Sequence, residues 1–130
     1  MKTTKKYINE AVPIERNLKS FFNKDQKLII FDIGSCEGLD SIRYSKLFPH
    51  SKIYSFEPIE SNFKKILDNL RKFSCKNVSP YRIALSVEKG SAEFYVSSGH
   101  PENLSDSEDW DYGNKCSSLL EPDKIKVVHP

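Results

Sequence analysis

From Leu28 to Ile33 the chain reads Leu-Ile-Ile-Phe-Asp-Ile, an apolar run broken by one acid and followed at once by Gly34. A continuous apolar stretch this short suits a strand covered on both faces of a parallel sheet better than an amphipathic helix. The residues downstream fit that reading. Gly34 to Gly38 forms a loop, and Leu39, Ile42, Leu47 and Phe48 give a helical stripe that ends at Pro49. Lys52 to Phe56 reads as a second short strand, closed by Glu57-Pro58. Phe63, Ile66, Leu67, Leu70 and Phe73 then share one helix face, with lysines and acids opposite. Asn77 to Leu85 reads as a third strand, weakened at its start by Pro80. This alternation is a βαβαβ unit of an α/β fold, whose crossovers place the strands in the spatial order 3-2-1.

The flanks are less regular. Residues 1–12 read as a flexible N-terminal arm. Pro13 can open a short packing helix, because Ile14, Leu18, Phe21 and Phe22 recur on one face. Glu88-Lys89-Gly90 is a turn, and Ala92, Phe94 and Val96 alternate with polar or half-buried neighbours as a strand of an added β-hairpin. From Ser98 to Ser118 periodicity lapses around Trp110 and an acidic patch, which reads as a solvated loop. Ile125 to Val128 begins one more strand. Residues 13–130 are thus expected to form a single domain.

Composition excludes several functions. The 20 basic and 18 acidic residues nearly balance, at a net charge of +2, and give no concentrated basic face for nucleic acid. Cys36, Cys75 and Cys116 form no CxxC pair, and His50, His100 and His129 form no metal-site pattern. Sparse, unpaired cysteines fit reduced thiols in the cytoplasm. The basic start, Met1 to Lys6, leads into polar Tyr7-Ile8-Asn9-Glu10 instead of an apolar run, so neither a signal peptide nor a membrane span is expected.

The chemistry concentrates where the first strand becomes a helix, the place where open α/β sheets bind ligands. Gly34 can take backbone angles closed to other residues, and Gly38 lets the next helix begin close to the strand. Backbone N–H groups at that helix start can meet a carboxylate or phosphate. Asp32 can accept a hydrogen bond from an ammonium group. Glu57, 25 residues after Asp32, can accept both hydroxyls of a ribose. The two acids alone fit S-adenosylmethionine and a dinucleotide equally, since both carry an adenosine ribose. The loop separates them. Its spacing is Gly-x-x-x-Gly, without the middle glycine that a pyrophosphate needs, and Asp32 and Glu37 would repel a diphosphate. A cationic sulfonium that carries an amino acid is the better match.

Five blocks in order, covering roughly Leu28 to Leu120, resemble the FkbM family of methyltransferases. They are Phe31-Asp32-Ile33-Gly34-Ser35-Cys36-Glu37-Gly38, Phe56-Glu57-Pro58, Ile83-Ala84-Leu85-Ser86, Gly90 with Phe94-Tyr95-Val96-Ser97-Ser98, and Ser117-Ser118-Leu119-Leu120. The resemblance implies a Rossmann-like class I methyltransferase fold and S-adenosyl-L-methionine as methyl donor. It further implies O-methylation of a sugar or natural-product hydroxyl, so the partner is a small-molecule or glycan acceptor. The cofactor residues it implies are Asp32, Gly34, Ser35, Gly38, Ser41, Glu57 and Pro58, with Ile83 and Ala84 near the adenine. Arg82 stands where family members often carry asparagine.

In that family a fourth strand with an Asp-x-x-Gly-Ala-Glu-like segment follows, and then three more. Nothing after Val128 supplies them, so the chain is expected to be the cofactor-binding half of the domain, with an incomplete sheet. Leu28 to Ile33 would then carry an unprotected edge, open to self-association or to cover by Ile125–Val128. Two further readings stay open: a non-catalytic binding module that needs a partner chain, and a fragment of an NAD-dependent oxidoreductase.

Overall fold

The computed structural model describes residues 4–96 and 117–119. Two helices, α1 (Thr4–Asn9) and α2 (Pro13–Phe21), precede the alternating core. That core runs β1 (Ile29–Ile33), α3 (Leu39–Leu47), β2 (Lys52–Phe56), α4 (Glu60–Lys72) and β3 (Val78–Tyr81). All strands are parallel and lie in the order β1-β2-β3, as expected. Ile33 pairs with Phe56 and Phe56 with Tyr81, so the three strands end together at one edge. A small parallel sheet with helices in its crossovers is a Rossmann-like arrangement.

One sheet face packs the core. Ile42, Ile53, Ile66, Leu70 and Val78 are buried together with Ile8, and Ile30, Leu39, Phe63 and Phe73 pack against them. Each such aliphatic side chain contributes roughly 1.5–3 kcal/mol by leaving water. At the strands' starting edge Asn77 ties three segments together. It accepts the Ser45 hydroxyl and donates to the Phe48 and Ser51 carbonyls. The Ser51 hydroxyl in turn meets the Leu28 N–H and the Gln26 carbonyl.

The opposite face differs from expectation. β1 was expected to be covered on both sides, yet Ile29, Phe31 and Ile33 are 60–66% exposed. Phe31, Tyr54, Phe56 and Tyr81 line up across this face as a stacked row, with neighbouring centroids 5.4–6.2 Å apart. Ring-on-ring contact supplies part of the cover that a second helix layer would give. The face expected on α2 is likewise formed but not buried, since Ile14, Phe21 and Phe22 remain exposed.

The N-terminal segment is more structured than a flexible arm. α1 brings Ile8 into the core, and Arg43, only 1% exposed, holds the segment to α3. Its guanidinium donates to the Tyr7 and Glu10 carbonyls and to Glu15 Oε1 at 2.7–2.8 Å, and lies over the Tyr7 ring. Its Nε lies 3.6 Å from the Asp40 carboxylate.

The third strand stops at Tyr81, four residues short of the expected Leu85. Pro80 lies within it opposite Ser55, an allowed place because β3 has only β2 beside it among the described residues. The described residues from Val87 onward belong to a separate unit. There the expected hairpin strand is reduced, among the described residues, to one antiparallel bridge between Tyr95 and Ser118. Alternation alone does not make a strand without a partner to share its hydrogen bonds. The acidic patch, Trp110 and Ile125–Val128 lie outside the described residues.

Candidate functional site

The loop between β1 and α3 leaves the sheet at the edge where all three strands end. Its first two N–H groups, of Gly34 and Ser35, both donate to the Phe56 carbonyl of β2, at 2.9 and 3.0 Å. The backbone then turns through left-handed angles at Gly34 (φ +77°), Cys36 (φ +50°) and Gly38 (φ +74°). A Cβ at Gly34 would meet nothing within 4 Å, so open space adjoins the loop there. A Cβ at Gly38 would lie 3.2 Å from two Ile66 carbons. Gly38 therefore permits close approach to α4, whereas the sequence suggested closeness to the strand.

Asp32 Oδ2 accepts the Ser41 hydroxyl at 2.5 Å, and the Ser41 N–H also bonds to this carboxylate. Asp32 thus caps the first turn of α3 from the neighbouring strand. Burial raises its pKa; the Ser41 bonds oppose that shift, and the nearby Asp40 and Glu57 carboxylates add to it.

Glu57 is 4% exposed. Its Oε2 accepts the Cys36 N–H at 2.9 Å, and its Oε1 accepts the Ile59 N–H at 2.9 Å and the more distant Asn62 amide at 3.5 Å. The carboxylate expected to face a ribose therefore also braces the loop. Oε2, with one donor so far, has a second lone pair for a further one.

The structure brings Asp32, Gly34, Gly38 and Glu57 to one edge of the sheet. Ser35 and Ser41 lie there too, with their hydroxyls turned to internal partners. Ser35 Oγ donates to the Phe56 carbonyl at 3.0 Å and accepts from Ser55 Oγ at 2.7 Å, while Ser41 is fully buried against Asp32. Pro58 is half-buried beside Glu57. The Glu57 N–H to Tyr81 carbonyl bond closes the strand ends, and Ile83 (exposed) and Ala84 (half-buried) follow just beyond. Arg82 pairs with Glu60 at 3.2 Å.

The sequence assigned α4 only a core role, but its polar residues reach the loop. Lys65 Nζ lies 2.6 Å from Glu37 Oε1, and the Asn69 amide donates to the Glu37 carbonyl at 3.0 Å. A polar residue set among lysines and acids reads as solvated surface, so only the fold reveals these contacts.

No protein-family model matches the chain. It is 25% identical over 101 residues to the 2-O-methyltransferase NoeI of Sinorhizobium fredii (strain NBRC 101917 / NGR234), covering 78% of this chain and 39% of that protein. The chain therefore spans about two-fifths of the length of this curated relative. Similar solved structures include a precorrin-6y C5,15-methyltransferase from Geobacter metallireducens GS-15, 26% identical with a TM-score of 0.47 over 58% of this chain and 42% of that one. Coclaurine N-methyltransferase bound to N-methylheliamine and SAH is 10% identical, with a TM-score of 0.46 over 61% and 23%. A SAM-dependent methyltransferase from Aquifex aeolicus is 22% identical, with a TM-score of 0.45 over 65% and 43%. All four of these proteins are methyltransferases by name.

Proposed function

We propose that the chain binds S-adenosylmethionine at the Gly34–Gly38 loop, as the cofactor-holding part of a methyltransferase. The observation that carries this reading is the loop itself, flanked by Asp32 from β1 and Glu57 from β2, with open space beside Gly34. The donor set fits the group. The Asp40 and Glu57 carboxylates both act on Asp32 as like charges, and such a site favours a cationic ammonium and sulfonium over a diphosphate.

In this reading Asp32 holds the amino group of the cofactor and the N–H groups opening α3 meet its carboxylate. Glu57 and Pro58 lie against the ribose, Ile83 and Ala84 against the adenine. When bound, the cofactor supplies an electrophilic methyl group. The residues of this chain bind and orient it, which is how proximity lowers the barrier to transfer. Likeness to a 2-O-methyltransferase supports an oxygen acceptor on a glycan or small molecule, as the FkbM resemblance implies.

A second reading follows from the exposed aromatic sheet face and the two-fifths span. The chain binds cofactor without turnover until another chain or segment supplies the acceptor side, and the β1 edge, unpaired among the described residues, supports self-association. The sparse cysteines, none in a CxxC pair, support a cytoplasmic location, and no helix among the described residues is long and apolar enough to cross a membrane.

Calorimetry with SAM, SAH and NADH on the 130-residue chain tests the cofactor. Binding of SAM or SAH is expected, and tighter binding of NADH would overturn the assignment. A turnover assay on the same protein separates the two readings, with methylated product favouring the first.

A further inference from the structure

Along α4, Asn62, Lys65, Ile66 and Asn69 recur at the spacing that places residues on one helix face. Each meets the β1–α3 loop or the residue that braces it. Asn62 reaches the Glu57 carboxylate, which accepts the Cys36 N–H. Lys65 and Asn69 hold the carboxylate and the carbonyl of Glu37. Ile66 lies against the bare Cα of Gly38. Three successive loop residues are thus fixed by one helical stripe.

The loop needs such support. The left-handed angle at Cys36, a non-glycine residue, is strained and persists where surrounding contacts hold it, whereas Gly34 and Gly38 adopt such angles freely. A loop held in its binding shape before the ligand arrives loses less freedom on binding. We propose that Asn62, Lys65 and Asn69 are positioning residues that preset the Gly34–Gly38 loop and thereby set cofactor affinity. This rests on the cofactor reading above for its second half only; the presetting of the loop stands by itself.

The test uses the 130-residue chain with Lys65→Met and Asn69→Leu, singly and together, and Lys65→Arg as the conservative variant. Hydrogen exchange is followed at the Cys36 and Gly38 amides and across β1 and β2, and SAH affinity is measured by calorimetry. The double variant is expected to exchange ~10-fold faster at the loop with unchanged strands, and to bind SAH ~5–20-fold more weakly, the scale of lost preorganisation. Lys65→Arg is expected to stay within about twofold, since a guanidinium keeps the charge and the bond. Unchanged loop exchange would overturn the proposal. So would equal acceleration throughout the strands, which marks a general loss of stability, or unchanged SAH affinity in a double variant whose parent binds SAH. A parent chain that binds no SAH defeats the cofactor reading instead, and the exchange result still decides whether α4 presets the loop.

Discussion

Glu57, at the end of β2, accepts the Cys36 N–H of the preceding crossover loop at 2.9 Å while its other oxygen accepts the Ile59 N–H at the same distance. Two backbone donors on opposite sides require an acceptor at both ends of the group. Glu57→Gln supplies only one, because its NH₂ must face one of the two N–H groups. The variant is expected to lose about 1–3 kcal/mol, the cost of a buried donor left without its acceptor. Urea unfolding measures the loss. A midpoint equal to that of the parent would mean that the carboxylate is not needed as a brace.

The two loop glycines are expected to respond differently to alanine. At Gly34 the only penalty is the left-handed φ, about 1–2 kcal/mol, since the added carbon enters open space. At Gly38 the same strain is joined by contact with Ile66 at 3.2 Å, and overpacking adds roughly 1–3 kcal/mol. Thermal unfolding should therefore rank Gly38→Ala below Gly34→Ala, while SAH binding should suffer at Gly34 as well. Equal stabilities would show that Ile66 yields without cost.

These relationships were legible in the sequence to different depths. β1, its loop glycines and the two acids could be read because a short apolar run, a turn and a strand-end carboxylate are local signals. Arg43 could not, because an arginine in a polar helix ordinarily faces water, and its burial depends on Tyr7, Glu10 and Glu15 arriving from another element. The α4 polar stripe was hidden for the same reason. Leu28–Ile33 misled in one respect: an apolar run specifies faces that want cover, and whether cover is present is not written in the run itself.

Asp32 should destabilise the ligand-free fold when ionised. Burial raises its pKa, opposed by Ser41 and assisted by Asp40 and Glu57. Its favourable contribution is therefore complete below the unfolded pKa and is lost as pH rises through the higher folded value. Asp32→Asn retains an oxygen acceptor for Ser41, and is expected to raise Tm relative to the parent at pH 7 by more than at pH 4. The same change should weaken SAH binding. A Tm difference that is constant across this range would show that Asp32 titrates alike in both states.

Arg43→Met should release the N-terminal helix. The change leaves the Tyr7 and Glu10 carbonyls and the Glu15 carboxylate without their shared donor, at a cost of about 3 kcal/mol. Amides of Thr4–Asn9 are expected to exchange far faster than those of β2. Burial works against the Glu15 charge, but its bonds to Arg43 and Lys19 prevail and lower its pKa. The latch is accordingly present above the unfolded pKa and weakens as pH falls through the folded one. Exchange at α1 that matches the parent would assign its docking to Ile8 alone.

Among the described residues β1 pairs only with β2, and its exposed side chains, Ile29, Phe31 and Ile33, carry no charge. Phe31→Lys places a cation on the open face and should shift any concentration-dependent association toward monomer. Sedimentation velocity of the parent and the variant reads this directly. Identical distributions for an associating parent would place the contact elsewhere.

The stacked row on that face also has an optical consequence. Tyr54 and Tyr81 are held at 30° to one another between phenylalanine rings, and fixed aromatic geometry gives near-ultraviolet circular dichroism that averages away in a loosely packed chain. The only tryptophan, Trp110, is far along the sequence in the 97–116 segment. Tyr54 and Tyr81 are two of six tyrosines, so the part of the tyrosine signal lost in Tyr54→Phe and Tyr81→Phe variants reports on the sheet face separately from the indole. A ligand, a second segment or another copy laid over those rings would announce itself as a change in the tyrosine bands before any of them had been identified.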